Sequence, residues 1–302
     1  MKKNQKSSRI KYSTSDKILQ AVVYTLVILL LIVIMYPLVY VVSSSFSSGN
    51  AVATGKVLLW PVDLSLEGYK AVFSYKQIWV GYKNTIFYTV VGTFLNLVIT
   101  IMAAYPLSRR NFQGKGIYMT IFMITMFVSG GIIPKYILMT QLKLTNTRWA
   151  LILSGALSVY NMNIMRTFFR SSIPGDLLDA AKIDGITDIG YLFKIVLPLS
   201  KAILAVITLY YAVGHWNSYF SAMLYLREPA LEPLQTVLRS ILIAGKLDLS
   251  NISDPEMLAK LQGMEDLMRY AVIVVSSVPM LVAYPFVQKF FEKGVMIGSV
   301  KG

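Results

Sequence analysis

Six stretches of the chain contain no Asp, Glu, Lys or Arg. They lie between Lys17 and Lys56, Lys83 and Arg109, Lys115 and Lys135, Arg148 and Arg166, Lys201 and Arg227, and Arg269 and Lys289. Each is rich in Leu, Ile, Val, Phe and Met, and each predicts an apolar helix of membrane length. The shortest, 149–165, has 17 residues, or about 26 Å at about 1.5 Å per residue, against a hydrocarbon core of about 30 Å. Arg148 and Arg166 at its ends can make up the difference by snorkelling. The pattern predicts an all-α, polytopic membrane protein with six transmembrane helices.

Composition agrees. Hydrophobic residues make up 55% of the 302 and charged residues 15%, where a soluble domain carries about 25% charged. Lipid is the solvent for most of this chain. The net charge of +14 is spread over the loops, so it reads as membrane topology and excludes a nucleic-acid-binding stripe. The N-terminal tail, the 109–115 loop, the 166–201 loop and the C-terminal tail together hold 17 Lys and Arg, against 12 on the other side, which predicts that both termini are cytoplasmic. Six basic residues precede the first apolar run, and Ala51-Val52-Ala53 resembles a signal-peptidase site. Ile18 to Val42, however, is 25 residues long, beyond the roughly 7–15 of a signal-peptide core, and predicts a retained first helix. The absence of cysteine excludes disulfides and thiolate metal sites.

Between the apolar runs the chain divides as follows. Residues 1–17 form a basic tail, 18–79 the first helix and an external loop, 80–290 the core with a polar loop at 171–198, and 291–302 a C-terminal tail. The serine-rich stretch from Ser43 to Asn50 reads as a loop, and Trp60-Pro61 and Tyr69 suit an interfacial belt. Ser129-Gly130-Gly131-Ile132-Ile133-Pro134 interrupts the third run as a kink or a re-entrant turn. In the 226–269 loop, Leu234, Val237, Leu238, Ile241 and Leu242 keep the rhythm of a one-faced helix, either lying on the membrane or packed over the bundle, or offering a surface to an external partner. Asp254-Pro255 is a second helix start.

The 171–198 loop carries the candidate chemistry. Pro174 suits a first helical position, Asp176 and Asp179 favour the positive end of a helix, and Gly185 can take the left-handed conformation that terminates it. Leu177, Leu178 and Ala181 form an apolar face, Asp176, Asp179 and Lys182 the polar sides, and Thr187 can cap a second short helix leading to Pro198. A helix-glycine-helix unit of this kind is stiff enough to transmit a rigid-body push.

Asp179-Ala180-Ala181-Lys182-Ile183-Asp184-Gly185, with Ile195, Leu197 and Pro198 after it, resembles the Glu-Ala-Ala loop of binding-protein-dependent ABC importer permeases. Asp179 stands where that family usually has Glu and loses one methylene of reach. Phe168 to Pro174, Asn146-Thr147-Arg148-Trp149, Trp216-Asn217 and the C-terminal Gln288 to Gly294 and Ser299 to Gly302 are similar to carbohydrate-uptake permeases of the maltose type. The break at Ser129 to Pro134 is closest to the subgroup for larger oligosaccharides. The resemblance implies a type I importer fold in a bacterial plasma membrane, with an ATPase-coupling helix at Asp176, Leu177, Asp179, Ala180, Ala181, Asp184, Gly185 and Pro198. It also implies a second homologous permease forming a heterodimer, two ATPase subunits carrying ATP and Mg, an extracytoplasmic solute-binding protein and a carbohydrate cargo, with no cofactor on this chain.

No expected span contains a charged residue, and no Gly-x4-Gly-Lys-Ser/Thr phosphate loop is present. An ion-coupled carrier or channel is the competing transport class. It would call for intramembrane ionisable groups, of which His215 is the one candidate, and a lone His is more often a packing residue. A membrane-embedded enzyme would need clustered acids, a nucleophile with its base, or metal ligands, which one His cannot supply. A sugar path should combine aromatic faces with amides and hydroxyls. Tyr160, Asn161 and Asn163 in the fourth run, and Tyr211, His215, Trp216, Asn217 and Tyr219 in the fifth, meet that description. The same residues also suit interhelical packing or an interfacial belt.

Overall fold

The computed structural model of the chain describes residues 13–244 and 255–299. The basic tail before Ser13, the 245–254 stretch with the Asp254 helix start, and the last three residues lie outside them. Among the described residues the structure is helical and has no strand. In chain order the helices are α1 (Thr14–Ser45), α2 (Gly49–Ala53), α3 (Glu67–Ser74), α4 (Lys76–Ser108), α5 (Lys115–Phe127), α6 (Ile132–Gln141), α7 (Arg148–Leu153), α8 (Val159–Ser171), α9 (Asp176–Ile183), α10 (Asp188–Tyr191), α11 (Leu197–Leu199), α12 (Lys201–Trp216), α13 (Phe220–Tyr225), α14 (Leu234–Ala244) and α15 (Pro255–Ser299). A π-helical turn, Leu192–Val196, joins α10 to α11.

Three of these helices are long and apolar enough to cross a membrane: α1, α4 and the Gly263–Pro285 part of α15. Two bent pairs meet the same description together, α5 with α6 at 114° and Asp188–Leu199 with α12 at 84°. The glycine-proline break is therefore a sharp reversal, with Gly131 at φ 81° supplying the left-handed residue before α6. The fourth apolar run is divided. Arg148–Leu153 stops at Ser154-Gly155, and Ser158 starts a new helix by accepting the Asn161 N–H at 3.3 Å. The fifth run, expected to continue to 225, ends at Trp216. There the Asn217 amide and Ser218 hydroxyl take the Val213 and His215 carbonyls at 3.0 and 2.7 Å. The expected tail at 291–302 continues α15 as helix to Ser299.

The chain forms two compact units. One comprises the described residues up to Lys70 together with α15 as far as Val274. Here the serine-rich stretch is ordered, with Ser43, Ser44 and Ser45 as the last, buried turn of α1. Ser43 donates to the Leu59 carbonyl at 2.6 Å, Ser47 to the Ser43 carbonyl at 2.7 Å, and Ser45 and Tyr69 share a 2.8 Å bond. Tyr69 is thus a packing residue, while Trp60 is 81% exposed, as an interfacial anchor requires. Most of the apolar length of α1 is exposed; near its end Tyr40 meets the Tyr270 ring edge-on at 5.8 Å, and full burial begins at those serines.

The other unit holds the remaining described residues and is organised by α4. One face of α4 is buried along its whole length: Ile78, Gly81, Asn84, Thr85, Tyr88, Gly92, Thr93, Asn96, Thr100 and Ala104. This face is polar and small rather than oily, which lets helices approach closely and hydrogen bond where lipid offers no partner. α12, α8 and α14 pack on it. α14 buries Leu234, Val237 and Leu238, with the Leu234 N–H on Thr85 Oγ1 at 2.7 Å, so it is packed over the bundle rather than laid on a membrane. Around the lower part of α4, Met162, Met165, Phe169, Tyr191, Val196 and Ile207 form the main apolar core.

At Gly92 an added Cβ would meet the His215 ring at 2.5 Å. Gly92→Ala should destabilise the solubilised protein by about 1–3 kcal/mol, the range for overpacking a close-packed contact. His215→Ala in the same chain should recover part of the loss, checked by thermal unfolding in detergent.

Candidate functional site

The 171–199 segment folds as a short, doubly capped elbow. α9 starts later than expected: Gly175 is its N-cap and Pro174 lies one residue outside, so Asp176 takes the first helical position. Asp176 and Asp179 occupy the first turn, where the helix dipole favours carboxylates, and Lys182 the last. The C-terminus is a Schellman motif. The Ile186 N–H reaches the Ala181 carbonyl at 2.9 Å and the Gly185 N–H the Lys182 carbonyl at 3.1 Å, with Gly185 at φ +70°. Thr187 then caps α10 by accepting the Gly190 N–H at 3.2 Å.

Burial sorts the elbow into an anchored side and a free side. Ala181 is 3% exposed and sits with Tyr191, Val196 and Phe169, and Leu178 and Ile186 pack at the edge of that cluster. Leu177, expected on the same face, is instead exposed. Asp176, Asp179, Ala180, Asp184, Gly185 and Pro198 are exposed as well. Beside them project three large apolar side chains that sequence reasoning passed over: Ile183 at 87% exposure, Ile189 at 71% and Phe193 at 63%. A signal was available for Ile183, which falls opposite the Leu178 and Ala181 face of α9, while Ile189 and Phe193 lie beyond the glycine on α10 and the π-helical turn.

Two contacts key the elbow to the end of α4. The Tyr105 hydroxyl donates to the Asp188 carbonyl at 2.9 Å. The Arg109 guanidinium lies over the Tyr105 and Tyr191 rings at 5.0 and 5.7 Å and donates to the Phe169 carbonyl at 3.4 Å. The elbow is therefore joined to α4 and α8 through short polar links.

The path candidates divide in the same way. The Tyr211 hydroxyl shares a 2.7 Å bond with Thr100 and accepts the Ser158 N–H at 3.1 Å. His215 Nε2 is 3.2 Å from the Asn96 amide, and Trp216 donates to the Ser276 carbonyl at 3.3 Å. Asn161 is buried, and Asn163 accepts from Arg166 at 3.3 Å. These five are bundle-forming groups. Tyr160, Asn217 and Tyr219 stand exposed, and so does Tyr210. The polar face of α4 was not singled out from sequence. Its Thr89, Thr93 and Asn96 recur at i, i+4 and i+7, with Thr89 Oγ1, Thr93 Oγ1 and Asn96 Oδ1 buried and without a hydrogen-bond partner among the described residues.

A polar-seamed membrane bundle with a stiff projecting elbow defines the membrane-embedded subunit of a transport machine. The chain belongs to the family of binding-protein-dependent transport system inner membrane components, whose profile matches residues 78–297. Among its relatives is the polygalacturonan/rhamnogalacturonan transport system permease protein YtcP of Bacillus subtilis, 38% identical over 287 residues, covering 95% of this chain and 99% of that protein. Protein LplC of the same organism is 40% identical over 266 residues, covering 88% and 89%. A solved bacterial ABC transporter involved in the import of the acidic polysaccharide alginate superposes with a TM-score of 0.85 at 34% identity, covering 94% of this chain and all of that one. The protein is thus a multi-pass, all-α permease subunit of the type I importer fold, has no catalytic site of its own, and works within a transport system with other components.

Tyr211→Phe removes the acceptor of the Ser158 N–H at the start of α8. It should cost about 1–3 kcal/mol of stability through an unsatisfied backbone donor and leave cargo affinity unchanged. Thermal unfolding together with cargo titration checks both halves.

Proposed function

We propose that the protein is a membrane-spanning half of an ATP-driven importer for an oligosaccharide, and that the elbow centred on Gly185 receives the stroke of a separate ATPase. The observation that carries this reading is the free side of α9 and α10. Ala180 and Gly185 leave room for close approach, and Ile183, Ile189 and Phe193 offer apolar area that has no partner within the described chain. The excess of Lys and Arg on the 109–115, 166–201 and terminal segments supports a cytoplasmic elbow and cytoplasmic termini. Mg-ATP would be held by two ATPase subunits, an extracytoplasmic solute-binding protein would deliver the cargo, and a second, homologous permease would complete a heterodimer. The exposed length of α1 suits lipid or that second permease.

An ion-coupled carrier draws no support from the seam, where His215 faces the neutral Asn96 amide. The cargo class follows the relatives. YtcP is named for polygalacturonan and rhamnogalacturonan, and the superposing transporter for the acidic polysaccharide alginate. Acidic, uronate-containing oligosaccharides are therefore the favoured cargo. The exposed aromatic groups Tyr160 and Tyr219 are the side chains offered to it, whereas the Asn217 amide is engaged by the Val213 carbonyl.

Reconstituted with its ATPases and binding protein, the complex should take up galacturonate oligomers in an ATP-dependent manner and maltodextrins poorly. Equal uptake driven by an ion gradient alone would overturn the importer reading. Gly185→Pro, which breaks the left-handed cap, and Asp179→Lys, which reverses a charge worth about 0.3–1 kcal/mol at the helix start, should lower coupled ATPase activity severalfold with normal membrane insertion. Tyr160→Ala and Tyr219→Ala should depress uptake while changing stability by no more than about 0.5 kcal/mol.

A further inference from the structure

A cleft of about 590 Å³ opens between the end of α4, the end of α8 and the elbow. Its walls carry four cations, Arg109, Arg110, Arg170 and Lys182, against two carboxylates, Asp179 and Asp188. None of the six is in an ion pair among the described residues, whose salt bridges are confined to Arg269 with Glu265 and Asp266. Arg109 spends its donors on neutral acceptors, Ser108 Oγ at 3.0 Å and the Phe169 carbonyl at 3.4 Å. Two further cations crowd the site from behind. Lys115 donates to the Arg109 carbonyl at 3.3 Å and feels Arg166, Arg170 and Arg109 as like charges. Arg166 donates to the Leu107 carbonyl at 3.1 Å and to Asn163, again a neutral pairing.

Like charges gathered this closely repel one another, and carbonyls and hydroxyls do not neutralise them. A compact anion would do so, and a phosphate group is the anion that planar guanidinium forks fit best. The cleft lies where the apolar run of α4 gives way to Arg109-Arg110, and basic pockets between helices at a cytoplasmic surface select phosphate-bearing heads. We propose that this cleft binds a phosphate group, carried by an anionic phospholipid or by a free phosphate species, and that the bound group bridges the end of α4 to the elbow. The lipid source rests on the proposed cytoplasmic placement of the elbow; the phosphate chemistry does not.

The test uses the purified whole complex in mixed micelles holding phosphatidylglycerol and phosphatidylcholine in equal amounts, with bound lipid counted by native mass spectrometry and inorganic phosphate added as a competitor. The variant is Arg110→Gln with Arg170→Gln, two exposed side chains outside the coupling residues; Lys135→Gln is the control. The wild type and the control should retain phosphatidylglycerol, and the double variant should lose it at least tenfold while phosphatidylcholine is unchanged. Displacement by millimolar inorganic phosphate assigns the same site to a free phosphate species. Equal retention of phosphatidylglycerol by wild type and double variant, with no binding of inorganic phosphate, overturns the proposal. So does loss of the copurifying ATPase from the double variant with lipid binding intact, because the cleft is then a protein contact. The count needs no transport, so a negative result here leaves the importer reading standing, and absence of ATP-dependent uptake would leave this one standing.

Discussion

Every interruption of a helix inside a membrane frees backbone groups that lipid cannot satisfy, and this bundle meets that constraint mainly with one helix. Along α4, Asn84 donates to the Ala230 and Glu232 carbonyls at 2.8 and 3.0 Å, and Tyr88 to the Leu231 carbonyl at 2.8 Å. Thr85 accepts the Leu234 N–H, and Asn96 donates to the Gly155 carbonyl at 3.2 Å. Each recipient lies at a break: the turn before α14, or the gap between α7 and α8. The buried polar face of α4 is therefore what allows its neighbours to be discontinuous. Tyr211 and Trp216 on α12 add to it, serving the start of α8 and the Ser276 carbonyl.

The arrangement has a mechanical consequence. A bundle of unbroken helices would slide as rods, whereas short helices pinned to one continuous helix move with it. The elbow is linked to the same helix at its lower end, through Tyr105 to Asp188 and through Arg109 stacked on Tyr105 and Tyr191. The elbow is thus tied to α4, and α4 carries the groups that hold α8, α12 and α14. Such an arrangement is compatible with the proposed rigid-body stroke, its contacts being distributed along a single element.

The reading from sequence was most successful where a local rule leaves one solution. The left-handed cap at Gly185, the Thr187 cap and the amphipathic register of Leu234, Val237 and Leu238 all followed from short-range chemistry and all hold. It failed where helix ends are decided by tertiary partners. The 149–165 run looked continuous because apolar content measures solubility in lipid and does not register that Ser158 could cap a new helix whose N–H group Tyr211 would meet. Ser43 to Asn50 read as a loop on composition, yet Ser43, Ser45 and Ser47 close α1 by taking carbonyls and Tyr69. Pro174 was placed two positions too deep, because Gly175, with no side-chain cap, serves as the N-cap and Asp176 as the first helical residue. Leu177 was assigned to the anchored face by its chemistry, and at its position on α9 it points away.

The same distinction bears on which polar residues meet cargo. Hydroxyls and amides within a membrane are costly enough to need a partner, and sequence alone cannot say whether that partner is protein or solute. Tyr211, His215, Trp216 and Asn163 have protein partners at 2.7–3.3 Å, so recruiting them to a sugar would first break bonds that hold the bundle. Tyr160 and Tyr219 carry no such obligation and stand exposed. Between these classes lie Thr89, Thr93 and Asn96 Oδ1, which are buried and unsatisfied in this conformation. They form a row on the central helix, next to the close Gly92 and His215 contact, where the α4 backbone comes up against an α12 side chain and these atoms are left no protein partner among the described residues.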